Sequence, residues 1–239
     1  MTVNANLTNN LALQFDFEDA SNGVITLDSA NGLTLNLVDS NSVAHDYHGP
    51  LGSGVSGVGR ALDFATGLPA TMGGLGPLAY AANDSTVNFG TLGSFTVTLW
   101  VKPAVAYSGF SRFFVLGAFG TTDNGQANSL GFFSSGGTLQ SFINTSSGVN
   151  SPAFSGTVNQ WLFLALTWDG QKVRYYTGSE AGTVAALGEV NAANGPIAVG
   201  NAVNLLIGNR VSQDRSFAGM MDSIRFYRGA APIGTLENN

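Results

Sequence analysis

The chain has 239 residues, no cysteine, 10% charged residues and a formal net charge of −6. That length suits one large all-β domain or two small ones, and the missing cysteine excludes disulfides and thiol chemistry. Nine scattered basic residues against 15 acids exclude a phosphate-neutralising face, and with it nucleic acid as a partner. Short apolar runs with period-two alternation follow one another along the chain, separated by Gly, Asn, Asp and Ser clusters, and helical periodicity is almost absent. Strands are expected at 11–18, 33–38, 60–64, 94–101, 112–118, 128–134, 138–143, 161–168, 172–177, 183–188, 204–208 and 220–227. Asn22-Gly23, Asn31-Gly32, Asn124-Gly125, Asp169-Gly170 and Asn194-Gly195 are turn dipeptides that tolerate positive φ. Asp169-Gly170 is expected to join its two flanking strands as a tight hairpin. Residues 39–58 and 65–85, rich in Gly, Ser and Pro, read as long surface loops.

No composition break divides the chain, so residues 1–239 are read as a single domain with its core over about 11–233. No apolar run reaches the ~20 residues of a membrane helix, so no membrane insertion is expected. Met1–Asn6 lacks the basic and apolar regions of a secretory leader. Either a leader has been removed and Met1 added, or the chain leaves the cell another way, release in a virion being one such route.

Four glutamates are present, Glu18, Glu180, Glu189 and Glu237, and none lies in a Glu-x-Asp-x-Glu arrangement on a strand. Glycoside hydrolysis needs two carboxylates held about 5–10 Å apart, so no catalytic residue is assigned. The nucleophile elbow Gly-x-Ser-x-Gly between strand and helix is absent. Gly52-Ser53-Gly54-Val55-Ser56-Gly57 reads as a flexible loop without the Lys-Ser/Thr of a phosphate cradle. His45-Asp46-Tyr47-His48 holds both histidines and reads as a solvated loop. Asp222 stands out: Met221, Ile224 and Phe226 surround it with apolar strand, and a carboxylate there costs several kcal/mol unless paired or cation-bound.

Seven segments in order carry a family resemblance: Phe15-Asp16-Phe17-Glu18-Asp19; Leu27-Asp28-Ser29-Ala30-Asn31-Gly32; Gly57 to Phe64; Ser94 to Pro103; Gln160-Trp161 with Thr167-Trp168-Asp169-Gly170; Leu206-Ile207-Gly208-Asn209; and Gly219 to Tyr227. Together, over residues 11 to 233, they resemble the laminin G-like domain of the concanavalin A-like lectin/glucanase superfamily. The resemblance implies an all-β jelly-roll sandwich of two antiparallel sheets, one concave and one convex. It also implies a structural Ca²⁺ between the first and last strands, with Asp222, Glu18, Asp28 and Asp16 as ligands, Asp19 as a further candidate, and backbone oxygens around Gly57 to Gly59 completing the shell. The alternative is that Asp222 only accepts N–H or Arg hydrogen bonds and no metal is present. For a glycan on the concave face the candidates are Tyr107, Arg112, Asn144, Arg174 and Tyr176, while most of Trp100, Trp161 and Trp168 are expected in the core. The implied function is a non-catalytic binding or adhesion module at a cell surface or outside the cell, taking a glycan or a surface protein. Two further readings stay open: a structural protein of an assembly, such as a virion decoration or surface-layer subunit with homo-oligomer or lattice partners, and a polysaccharide lyase or hydrolase.

Overall fold

The structure, a computed structural model, describes residues 10–19, 23–66, 72–121, 126–144, 146–154 and 156–236. The expected turn at Asn124-Gly125 and the N-terminal Met1–Asn6 lie outside the described residues. In chain order the strands are β1 (Leu11–Phe15), β2 (Ile25–Leu27), β3 (Thr34–Val38), β4 (Leu62–Asp63), β5 (Leu78–Asp84) and β6 (Gly90–Leu92). Then come β7 (Phe95–Pro103), β8 (Phe110–Ala118), β9 (Ser129–Ser135), β10 (Thr138–Ile143), β11 (Ser146–Ala153) and β12 (Leu162–Trp168). The last are β13 (Lys172–Ser179), β14 (Ala185–Asn191), β15 (Ile197–Gly200), β16 (Val203–Ile207) and β17 (Gly219–Arg228). No α-helix occurs among the described residues.

These strands build an antiparallel sandwich. One sheet has seven strands, ordered β1-β17-β7-β12-β13-β14, with β4 also on β17; the other has eight, ordered β11-β10-β9-β8-β16-β5-β3-β2. The short pair β15-β6 forms a separate two-stranded sheet whose Leu92, Ile197 and Val199 join the same core. Alternation decides the layers. Along β7, Phe95, Val97, Leu99 and Val101 enter the core, and Leu164, Leu166 and Trp168 do so on β12. From the facing sheet Phe114, Leu116, Leu130, Phe132, Leu205 and Ile207 meet them. The indole of the fully buried Trp168 donates to Ala192 O at 2.8 Å, so its one polar group is satisfied in the core. The β12–β13 hairpin closes as expected: Gly170 has φ +91°, and Asp169 Oδ1 accepts the N–H groups of Gln171 and Lys172 at 2.9 and 2.7 Å.

Both sheets also carry apolar clusters on their outer faces. Phe163, Ala165, Tyr176 and Tyr227 pack with Ala231 and Leu236 of the C-terminal segment outside the seven-stranded sheet. Val38, Leu78, Val115, Phe133, Phe142 and Leu206 do so outside the eight-stranded one.

Three sequence expectations are corrected. The first strand ends at Phe15, and Phe17 takes φ +57°, so Phe15 and Phe17 stack in the core at 6.2 Å while Leu11 joins the outer cluster. Residues 65–85 are not all loop: β5 lies inside the eight-stranded sheet between β16 and β3. The expected alternation of 220–227 is broken by a bulge, because the register of β17 on β7 slips between Asp222↔Trp100 and Arg225↔Thr98. Ser223, with φ +48°, absorbs the extra residue and lets Met221, Ile224 and Phe226 all face inward.

Candidate functional site

The bulge sets the site. Asp222 faces outward opposite Trp100 in the β17–β7 ladder, yet it is only 5% exposed because the loop 49–60 folds over it. That Gly-rich loop is held by its own hydrogen bonds. Gly52 N–H donates to Gly59 O at 2.6 Å, Ala61 N–H to Ser53 Oγ at 3.1 Å, and Arg60 Nη1 to Gly49 O at 2.8 Å. Asp222 Oδ2 accepts the N–H of Val55 at 2.9 Å and Oδ1 accepts that of Ser223 at 2.6 Å. Burial pushes the Asp222 carboxyl up to about 6, and the charges of Asp16 and Glu18 reinforce the shift against those two N–H bonds.

Glu18 reaches the same loop from the segment that follows β1, and its Oε1 accepts Arg60 N–H at 2.9 Å. The loop is built closely around these acids. A Cβ placed on Gly59 would lie 1.9 Å from Glu18 Oε1. One placed on Gly54 would lie 2.1 Å from Val58 O, 2.9 Å from Asp222 Oδ2 and 3.1 Å from Arg60 O. Three oxygens from separate residues therefore face one small space beside Gly54, and one of them belongs to the Asp222 carboxylate, whose charge burial and then Asp16 and Glu18 disfavour. This donor set suits a hard cation, which takes carboxylate and carbonyl oxygens together.

The expected ligand set is only partly brought together. Asp222 and Glu18 meet on the loop, and Asp16 stands near enough to act on Asp222 by its charge. The Asp16 carboxylate itself accepts from Gln14 Nε2 at 2.5 Å and sits 3.6 Å from Arg225 Nη2. Asp28 is turned into its own turn, accepting the N–H groups of Gln14, Ala30 and Asn31 at 2.5, 3.0 and 2.7 Å. Asp19 likewise caps Thr26 and Leu27, with contacts of 2.8 and 2.7 Å. No three Asp, Glu or His side chains converge on one point among the described residues, so backbone carbonyls would have to supply the rest of a shell.

A cleft of about 380 Å³ opens beside this loop on the outer face of the seven-stranded sheet. Trp100 and Phe163 form its floor, with ring centroids 5.4 Å apart and planes at 62°. Ser56, Ser179, Glu180 and Ser223 supply polar groups on its walls. Glu180 Oε1 accepts the N–H of Ser56 at 2.8 Å, so adjacent residues of one loop tie to Asp222 and to the cleft wall. Of the three tryptophans, most of which are expected in the core, Trp161 and Trp168 are buried, whereas Trp100 is half-buried and lines the cleft. The signal available in sequence is its parity with Thr98 and Lys102, opposite to Leu99 and Val101.

The five residues expected to bind a glycan do not share a site. Tyr107 packs against Phe154 at 4.8 Å, with its hydroxyl buried. Arg112, on the eight-stranded sheet, is 2% exposed, its guanidinium 4.3 Å from the ring centre of Phe133 on the adjacent strand. Asn144 closes a turn, accepting from Asn128 N–H at 2.9 Å and donating to Asn194 O at 3.2 Å. Arg174 is paired with Asp169 at 2.7 Å and Glu189 at 3.2 Å. Tyr176 is 5% exposed in the outer cluster. His48 is not solvated either: its side chain is 1% exposed, with Nδ1 2.8 Å from Asp46 Oδ1 and Nε2 3.6 Å from Asp19 Oδ1.

Comparison with known proteins bears on this geometry. The laminin G-like family model described as the concanavalin A-like lectin/glucanases superfamily matches residues 78–232. No curated protein sequence matches the chain. Among solved structures, domain 4 of the GH43 extracellular arabinanase AbnA from Geobacillus stearothermophilus, in complex with arabinotriose, superposes with a TM-score of 0.62 at 19% identity, covering 95% of this chain and 96% of that one. The Trypanosoma rangeli sialidase gives 0.57 at 14% identity, over 95% of this chain but only 32% of its own. The binding domain of Paraclostridial Mosquitocidal Protein 1 gives 0.54 at 14% identity, over 96% of this chain and 51% of that one. At these identities the likeness is one of fold.

Proposed function

The chain belongs to the concanavalin A-like lectin/glucanase superfamily, and we propose that it is a non-catalytic carbohydrate-binding module that works outside a cell or at a surface and takes glycan in the Trp100 cleft. The observation that carries the reading is the half-buried Trp100 in a cleft where apolar Phe163, Val58, Val184 and Leu236 stand beside the hydroxyls of Ser56, Ser179 and Ser223 and one carboxylate, Glu180. An aromatic face stacks on the C–H face of a sugar, while serines and Glu180 offer partners to its hydroxyls. The volume lies within the range of small-molecule sites. Among the described lining residues Glu180 is the one acid, and it already holds Ser56 N–H. Hydrolysis by the usual route needs a second carboxylate across the bond, which supports binding rather than turnover.

A Ca²⁺ bound by Glu18, Asp222 and the carbonyls of Val58 and Arg60 is part of the proposal. When bound it supplies the positive charge that these grouped carboxylates otherwise lack, and so fixes the loop that forms one wall of the cleft.

The test is calorimetric titration with cello-, xylo-, manno- and arabino-hexaose, alongside arabinotriose as the ligand held by the AbnA domain. We expect at least one neutral oligosaccharide to bind. Trp100→Ala is expected to weaken it about thirtyfold, equivalent to the ~2 kcal/mol of an aromatic anchor, with the melting curve retained. No reducing ends are expected to appear on prolonged incubation with the same sugars. Affinity and stoichiometry both unchanged in Trp100→Ala would remove the cleft from the reading, and sugar release would remove the non-catalytic part.

A further inference from the structure

We propose a second neutral-sugar site on the opposite face of the sandwich, making the chain bivalent toward a polysaccharide; this rests on the glycan-binding reading above. A cleft of about 330 Å³ lies on the outer face of the eight-stranded sheet. Its rims carry Phe119, 70% exposed just beyond β8, and Val211, 47% exposed in the loop after β16. Tyr80 of β5, half-buried, and Leu206 of β16 contribute its floor. Large apolar groups this exposed around a concavity mark a contact surface rather than unfinished core.

One wall is shaped by a second bulge. The register of β16 on β5 slips between Val203↔Asp84 and Leu205↔Ala81. Asn83 takes φ +54° there, and its N–H donates to Asn204 Oδ1 at 2.8 Å. Asn204 is itself anchored, its Nδ2 donating to Thr121 O at 2.8 Å. Non-glycine residues persist at positive φ where their surroundings fix them, and bulges of this kind re-aim a side chain. The result is an exposed amide at Asn83 beside two aromatic rings, in a lining that is otherwise mainly aliphatic, Val38, Leu78 and Leu206 among it, and holds no charged residue.

That combination selects the ligand class. Rings suit the apolar face of a sugar, and the Asn83 amide both donates to and accepts from hydroxyls. A lipid tail would strip water from the amide and the Tyr80 hydroxyl without replacing its hydrogen bonds. The uncharged lining gives an anionic sugar no counter-ion. This cleft and the Trp100 cleft lie beyond opposite sheets, so two sugar chains can be held at once without colliding.

The experiment is titration of the same four hexaoses into wild type, Phe119→Ala, Asn83→Gly and Trp100→Ala, with turbidity on mixing with the parent polysaccharides. Glycine keeps the positive φ while deleting the amide, and Phe119 is exposed enough for its loss to leave the fold intact. Wild type is expected to bind two equivalents and to cross-link the polysaccharide. Phe119→Ala and Trp100→Ala should each lower the stoichiometry to one and abolish cross-linking, and Asn83→Gly should weaken one site at least fivefold. Stoichiometry of one, lost in Trp100→Ala and untouched in Phe119→Ala and Asn83→Gly, overturns the second site while leaving the first. Binding lost only in Phe119→Ala overturns the Trp100 site instead.

Discussion

Phe226→Ala is expected to lower the unfolding free energy by about 4 kcal/mol, within the range for deleting a fully buried aromatic. Phe226 has no exposed surface and lies where the two sheets meet. Its ring stacks on Phe95 of the same sheet at 5.7 Å and on Phe114 of the facing sheet at 5.8 Å, and meets the edge of Phe89 at 5.6 Å. Truncation leaves three rings facing a void that alanine does not fill, and each ring contact is worth something beyond its buried area. Urea denaturation at fixed pH measures the loss. Phe226→Leu, which retains most of the volume, should cost less than half as much. Phe110→Ala, at a residue 40% exposed whose ring lies 4.4 Å from the Arg215 guanidinium, should cost about 1 kcal/mol or less. A loss below about 1 kcal/mol at Phe226 would mean that this cluster does not hold the sheets together. Native globular proteins unfold at about 5–15 kcal/mol, so the variant should still fold for measurement.

The same strand shows how far the fold is legible in sequence. Met221, Ile224 and Phe226 cannot share one face of a regular strand, because their spacing changes parity between 221 and 224. One inserted residue reconciles them, and the structure places it at Ser223. The strong alternators, 94–101 and 161–168 above all, are legible for the same reason. β5 is not, because Leu78-Ala79-Tyr80-Ala81-Ala82-Asn83-Asp84 has weak contrast between its faces and lies behind a Gly- and Pro-rich stretch.

The candidate site is legible only where it follows from chain topology. Glu18 and Asp222 approach each other because β1 pairs with β17. Which outward side chains remain available depends on what covers each face, and alternation carries no record of that. Tyr176 and Tyr227 are buried in a cluster with Leu236 of the C-terminal segment, whereas Trp100, packed against the same cluster, stays half-buried at the cleft. Arg112 is buried against Phe133, a contact between strands that no local pattern announces.

Asp222 gives the second large expected effect, and its sign is fixed by the direction of its shift. Its carboxyl is raised from an ordinary 3.8 to about 6 in the fold, first by burial and then by Asp16 and Glu18. The folded state therefore binds this proton more tightly than the unfolded chain does. The stabilisation is complete below about pH 3.8 and is lost as pH rises through about 6, a change of about 3 kcal/mol. In chelator, thermal stability should fall between pH 4 and 7 by that amount. A bound Ca²⁺ reverses the preference, because it takes the ionised carboxylate and leaves the proton without a place. Millimolar Ca²⁺ at pH 7.5 should then raise the melting temperature by several degrees and flatten the pH slope. Asp222→Asn should abolish both the slope and the response to Ca²⁺. It should also carry a fixed cost of about 1 kcal/mol, since an amide has one acceptor oxygen for the two N–H groups of Val55 and Ser223. A slope that persists unchanged in Ca²⁺, with identical melts in chelator, would rule out the cation and leave Asp222 as a buried acceptor. Because Val55 and Ser56 join Asp222 to Glu180 through one loop, the same titrations repeated with bound sugar would show whether the cation also sets the shape of the Trp100 cleft.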